Sequence, residues 1–107
     1  MVTVTVTWNE QSIIGLRVTG HANSAEVGQD LVCASVSSIA TGALNALDMI
    51  VHDACELSLV NGPDPLIDIN VKHNRPEVQP ILSAVLIQLK TLAQSQGRYI
   101  RIQEVQS

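Results

Sequence analysis

Val2, Val4, Val6 and Trp8 alternate with Thr3, Thr5 and Thr7 at the start of the chain. A period of two filled with β-branched residues is the pattern of a strand with one buried face and one wet face. Such a strand cannot stand alone. It needs neighbours to complete its hydrogen bonds and a second layer to cover its valines. Ile14, Leu16 and Val18 share a face after the polar turn 9–12 and supply the next strand, most simply as a hairpin with the first. Residues 20–29 show no period and contain Gly20 and Gly28, which reads as a loop.

The covering layer is legible further on. From 31 to about 53 the apolar residues Val32, Val36, Ile39, Ala43, Leu47 and Ile50 recur at steps of three and four, the spacing of one helical face. Asp30 stands where an N-cap would accept from the first backbone N–H groups. Asn61, Gly62, Pro63, Asp64 and Pro65 form a turn cluster. Ile67, Ile69 and Val71 then alternate with polar residues as a third strand. Val78, Leu82, Val85, Leu89 and Leu92 form a second amphipathic helix, beginning near Pro76, distorted or restarted at Pro80 and ended by Gly97. Ile100 and Ile102 mark a last strand. The expected fold is a single two-layer α+β domain over 1–107. Its order is β-β-α-β-α-β, with two helices on one mostly antiparallel or mixed four-stranded sheet.

Composition narrows the function. In 107 residues, 46% are hydrophobic and 15% charged, the balance of a globular chain. Ten acidic residues against six basic ones give a net charge of −4, with one Trp, one Tyr and no Phe. That combination lacks both the charge and the stacking surface of a nucleic-acid binder. No uninterrupted apolar run approaches the length of a membrane span, and the alternating start is not a signal peptide. Two cysteines without an export signal fit a reducing compartment. The expectation is a soluble cytoplasmic domain without membrane or nucleic-acid partners.

The chemistry concentrates around Gly20, His21 and Ala22, then Gly28, Asp30, Cys33 and Ser37. With Asp30 as cap, Cys33 is the third residue of its helix, facing unpaired N–H donors and the positive end of the dipole. That setting favours a thiolate. His21, at a strand end, could fold back over this helix start, and Cys with His is the minimum for nucleophilic catalysis by a thiolate. Ser37 follows Cys33 by one turn on the same face. Residue by residue, milder roles compete: a cysteine on an apolar helix face is commonly a small buried hydrophobe. Asp30 acts mainly as a cap.

Taken together, Gly20-His21-Ala22, Gly28, the run from Asp30 to Ala34 around Cys33, and Ser37 resemble the signature of the ribosomal-processing cysteine protease family. The resemblance covers nearly the whole chain. It implies a cysteine endopeptidase with a His21–Cys33 dyad and no cofactor. It also implies a substrate, the N-terminal extension of a large-subunit ribosomal protein precursor, and a homodimeric state. Gly20, Ala22, Gly28, Asp30 and Ser37 would shape the loop and substrate site, with Gly28 a hinge in the loop 22–29. Val27 departs from the pattern, which has an aromatic residue before the glycine. The competing readings are a non-catalytic ribosome-assembly module and a thiol redox sensor.

Other residues carry less. His52, Asp53 and Cys55 cluster near the first helix's end, but zinc needs three or four sulfur and nitrogen ligands at set spacings, so no metal site is read there. His73 reads as solvated. On one continuous helix Cys33 and Cys55 would stand about 33 Å apart, against the roughly 7 Å that a disulfide spans. Leu44 and Val51 on the first helix, and Ile81 and Leu86 on the second, lie off the main stripes. Such surplus apolar surface suggests a two-fold dimer through the helices.

Overall fold

A computed structural model describes residues 1–20, 27–62 and 65–107, with the backbone alone for 27–30. The N-terminal alternation forms strand β1, Val2–Asn9, with Val2, Val4 and Val6 fully buried. It turns through Glu10 into β2, Ser12–Thr19, antiparallel to it. The pairing slips between Thr7 and Trp8: Thr7 faces Gly15, whereas Trp8 faces Ile13. Ile14 is the extra residue of this bulge. Ile13 rather than Ile14 therefore joins Leu16 and Val18 in the core. An unbroken alternation from Ile14 to Val18 could not show that switch.

Helix α1 runs Val27–Ile50. It begins before Asp30, so Asp30 lies within the first turns and is not the cap. Gly28, expected in a hinge loop, is helical. The helix also ends before residue 53. Val51 N–H still donates to the Leu47 carbonyl, but Asp53 adopts a left-handed φ of 69° and Ala54 accepts from Lys72 and His73 N–H. Asp tolerates that conformation better than most residues, and the chain reverses into a strand that the sequence reading omitted.

That strand is β3, Cys55–Val60, antiparallel to β4, Leu66–Val71. Helix α2, Val78–Gln96, and β5, Ile100–Gln106, complete the chain. Pro80 does not interrupt α2; in the first turn its missing N–H is one that has no helical partner in any case. Gly97 caps the helix at φ −59°. The order is thus β-β-α-β-β-α-β, and the described sheet has five strands in the order β3-β4-β2-β1-β5. It is mixed, because β1 and β5 are parallel while the other pairs are antiparallel.

Both helices lie on one face. Val32, Val36, Ala40, Ala43 and Leu47 of α1, with Val78, Leu82, Val85 and Leu89 of α2, form one cluster with the inward residues of the sheet. The opposite face carries Thr3, Thr5 and Thr7, with Arg17 paired to Asp68 at 3.2 Å. The stretch Leu31–Ile50, at a mean hydropathy of 1.3, is long and apolar enough by composition to cross a membrane. This corrects the expectation from uninterrupted runs: Ser, Thr and Gly break the run at little cost in hydropathy, and the Leu, Ile, Val and Ala residues outweigh Asn45 and Asp48. Its most apolar stripe instead covers the sheet.

Candidate active site

Cys33, Ser37 and Thr41 follow at steps of four along α1, so they share one face. That face looks across a cleft of about 390 Å³ toward the end of the β3–β4 hairpin. Leu59, Val60 and Asn61 line the far wall with Pro65 and Leu66, while Val18 and Ile67 belong to the apolar floor. Leu59, in register with the buried Ile67, is half-exposed here on the helix-facing side. A volume of this size lies within the usual range of ligand pockets.

Gly20 lies on the same rim. Its φ of 91° is a left-handed conformation, and a Cβ would collide with the Met1 carbonyl oxygen. Only glycine fits there without strain. The chain therefore leaves β2 in a direction set by Gly20, and the next residue is His21. His21 and Ala22 themselves lie outside the described residues, and of Gly28 and Asp30 only the backbone is described.

The structure thus brings together three of the residues expected at the site: Gly20, Cys33 and Ser37. It moves Cys33 relative to the helix start. With α1 beginning at Val27, Cys33 is in the second turn, beyond the first turn where unpaired N–H groups and the dipole act most strongly. Cys33 is half-buried, packed against the core on one side and lining the cleft on the other. The sequence reading missed Thr41 and the entire β3–β4 wall. Thr41 was within reach, continuing the four-residue step from Cys33 and Ser37. The wall required β3.

The second cysteine differs in setting. Cys55 opens β3 instead of closing α1, so the separation along one helix does not apply to the pair; both thiols are free. Burial pushes the Cys55 thiol up, and Lys72 only partly opposes this. His52 lies 3.2 Å from Asp48 and 3.5 Å from Asp53 at the exposed end of α1. His73 is exposed.

A family model described as "Cysteine protease Prp" matches residues 1–101. The chain belongs to that family. It is a cysteine protease by that membership. The ribosomal processing cysteine protease Prp of Staphylococcus aureus is 28% identical over 103 residues, covering 95% of this chain and 97% of its own. The crystal structure of an essential ribosomal processing protease Prp from S. aureus with a substrate peptide superposes with a TM-score of 0.84. It is 27% identical and covers 97% of this chain and 99% of that one. The S. aureus structure with a covalently linked product peptide gives a TM-score of 0.81 at 30% identity, with the same coverage.

Proposed function

We propose that this chain is an endopeptidase that removes the N-terminal extension of a large-subunit ribosomal protein precursor. The observation that carries the reading is the position of Cys33: its side chain lines a peptide-sized cleft whose rim holds Gly20, one peptide bond from His21. In this mechanism His21 takes the Cys33 Sγ proton as the sulfur attacks the scissile carbonyl. The tetrahedral intermediate collapses to a thioester as His21 protonates the leaving amine. Water, deprotonated by His21, then releases the acid and restores the thiol. Backbone N–H groups stabilise the oxyanion, and the Ser37 and Thr41 hydroxyls can bond the peptide along the same wall. The relatives crystallised with a substrate peptide and a covalently linked product peptide support this reading. We further place the enzyme in the cytoplasm, where such precursors are made, and infer a homodimer.

The test is a mass spectrum of the same organism's precursor before and after incubation with the protein. Wild type should release the extension, and Cys33→Ala should release none while keeping its circular dichroism spectrum. His21→Ala should slow release by about 100-fold, the scale of lost acid–base help, and should flatten the pH–rate profile. Processing by Cys33→Ala at near wild-type rate would show that the nucleophile lies elsewhere.

A further inference from the structure

The sheet ends on one side at β3, and β3 runs into the cleft: its Leu59 and Val60, with Asn61 just beyond, stand opposite Cys33. Among the described residues no strand lies on its outer side. Which groups point outward follows from one bond. Lys72 N–H donates to the Ala54 carbonyl at 2.8 Å, and Cys55 is in register with Val71. Bonded and non-bonded pairs alternate along an antiparallel ladder. Cys55 and Val71 are therefore a non-bonded pair, and Glu56, Ser58 and Val60 are the residues bonded to β4. The N–H and C=O groups of Cys55, Leu57 and Leu59 face the open edge.

Proteins ordinarily guard such an edge with charge, proline or a covering element. The opposite edge strand, β5, carries Arg101 and Glu104, with Glu104 held by Lys90 at 3.1 Å and by the Trp8 indole N–H. From Leu57 to Val60, β3 carries no charge, and Leu59 and Val60 are 49% and 46% exposed. Extended peptides bind unguarded edges by strand addition, the main-chain bonds giving affinity. The geometry points to β3 as the substrate-docking strand. One flank of the extended peptide pairs with the main chain of Leu57 and Leu59. It then crosses the lip at Leu59 and Asn61 to present its scissile carbonyl to Cys33. This rests on the protease reading above and adds what holds the substrate in line.

Amide exchange by NMR on Cys33→Ala, titrated with a synthetic peptide spanning the processing region, tests the docking; Cys33→Ser serves where alanine perturbs the fold. In the free protein the Leu57 and Leu59 amides should exchange fast while Ser58 and Val60 are protected. Saturating peptide should slow Leu57 and Leu59 by about tenfold or more, as new hydrogen bonds do. N-methylating the peptide one residue at a time should weaken binding about fivefold at alternate positions of one flank, the effect of one main-chain hydrogen bond. Cleavage by wild type, with peptide binding that leaves Leu57 and Leu59 unchanged, overturns the docking strand and keeps the protease. Protection of those amides by a peptide that wild type cannot cleave upholds the docking strand and removes the protease. Protection in the free protein that rises with concentration places a second copy on the edge and overturns the proposal. Neither binding nor cleavage overturns both.

Discussion

Gly20 is where one residue's conformation bears on both stability and chemistry. Alanine there meets left-handed strain and a main-chain oxygen that cannot rotate away. Gly20→Ala should therefore destabilise the protein by about 1–3 kcal/mol, read as a lower urea midpoint at unchanged slope. Precursor cleavage should fall as well, since His21 hangs from the displaced residue; an unchanged midpoint would show that the strand end relaxes freely. The two thiols give a second contrast. Burial raises the Cys55 thiol, so the folded protein holds that proton more tightly than the unfolded chain does. The resulting stability is present below the ordinary thiol range and lost as pH rises through the raised value. At neutral pH Cys55 is mostly the unreactive thiol, whereas Cys33 opens on the cleft. Brief iodoacetamide treatment followed by mass mapping should find Cys33 labelled first, and early label on Cys55 would contradict this.

At the level of elements, α2 is fastened to the β1–β2 hairpin by one side chain. Ile13 N–H donates to Gln79 Oε1 at 2.7 Å, and Gln79 Nε2 donates back to the Ile13 carbonyl at 2.8 Å. Ile13 is in register with Trp8, but its main-chain groups face away from β1. The β4 ladder on that side of β2 stops at Gly15, so Gln79 supplies the missing partner. Gln79→Ala should cost about 1–3 kcal/mol, the penalty for unsatisfied polar groups, and Ile13 amide exchange should rise with it. A change within a few tenths would mean that water replaces the amide. Nothing in the sequence around Gln79 announces this clamp, because it depends on where the β2–β4 ladder ends, beside a residue 66 positions away. The stripes of α1 and α2 and the valine alternation of β1 were legible because each buries a continuous face. In β3, Cys55, Leu57 and Leu59 do alternate with Glu56 and Ser58. That signal is weaker, because an edge strand half-exposed beside a cleft needs no strongly apolar face. The helix start was misread for a related reason: Gly28 and Asp30 favour loops and caps locally, and the surrounding fold overrides that preference. Cys33, Ser37 and Gly20 were legible as neighbours in one site, but the wall opposite them was not.

At the scale of the whole molecule, the residues expected to form a dimer interface have another role. Leu44, Val51 and Leu86 are buried within one chain, and Ile81 is partly so, because two helices packed side by side on five strands also bury their flanks. The apolar surface left over is elsewhere on the helices: Leu31 is 65% exposed, Met49 82%, Ile50 59% and Ile87 63%. Beside these residues runs a groove of about 400 Å³ between α1 and α2, lined by Ile39, Gly42, Ala46, Ile81, Ala84 and Gln88 among others. Small side chains along it let a second backbone approach closely. A monomer seldom leaves so much apolar surface in water, and a two-fold axis lets identical chains cover the same patch on each other. The cleft opens toward β3 and β4, so such a dimer leaves both Cys33 residues accessible. Light scattering at micromolar concentration should therefore give twice 11.5 kDa. Ile87→Lys or Ala46→Asp should return the value to 11.5 kDa without loss of secondary structure. A wild-type mass of one chain would remove the dimer. A dimer that survives both substitutions would move the interface off the helices, with the unguarded β3 edge the next surface to probe.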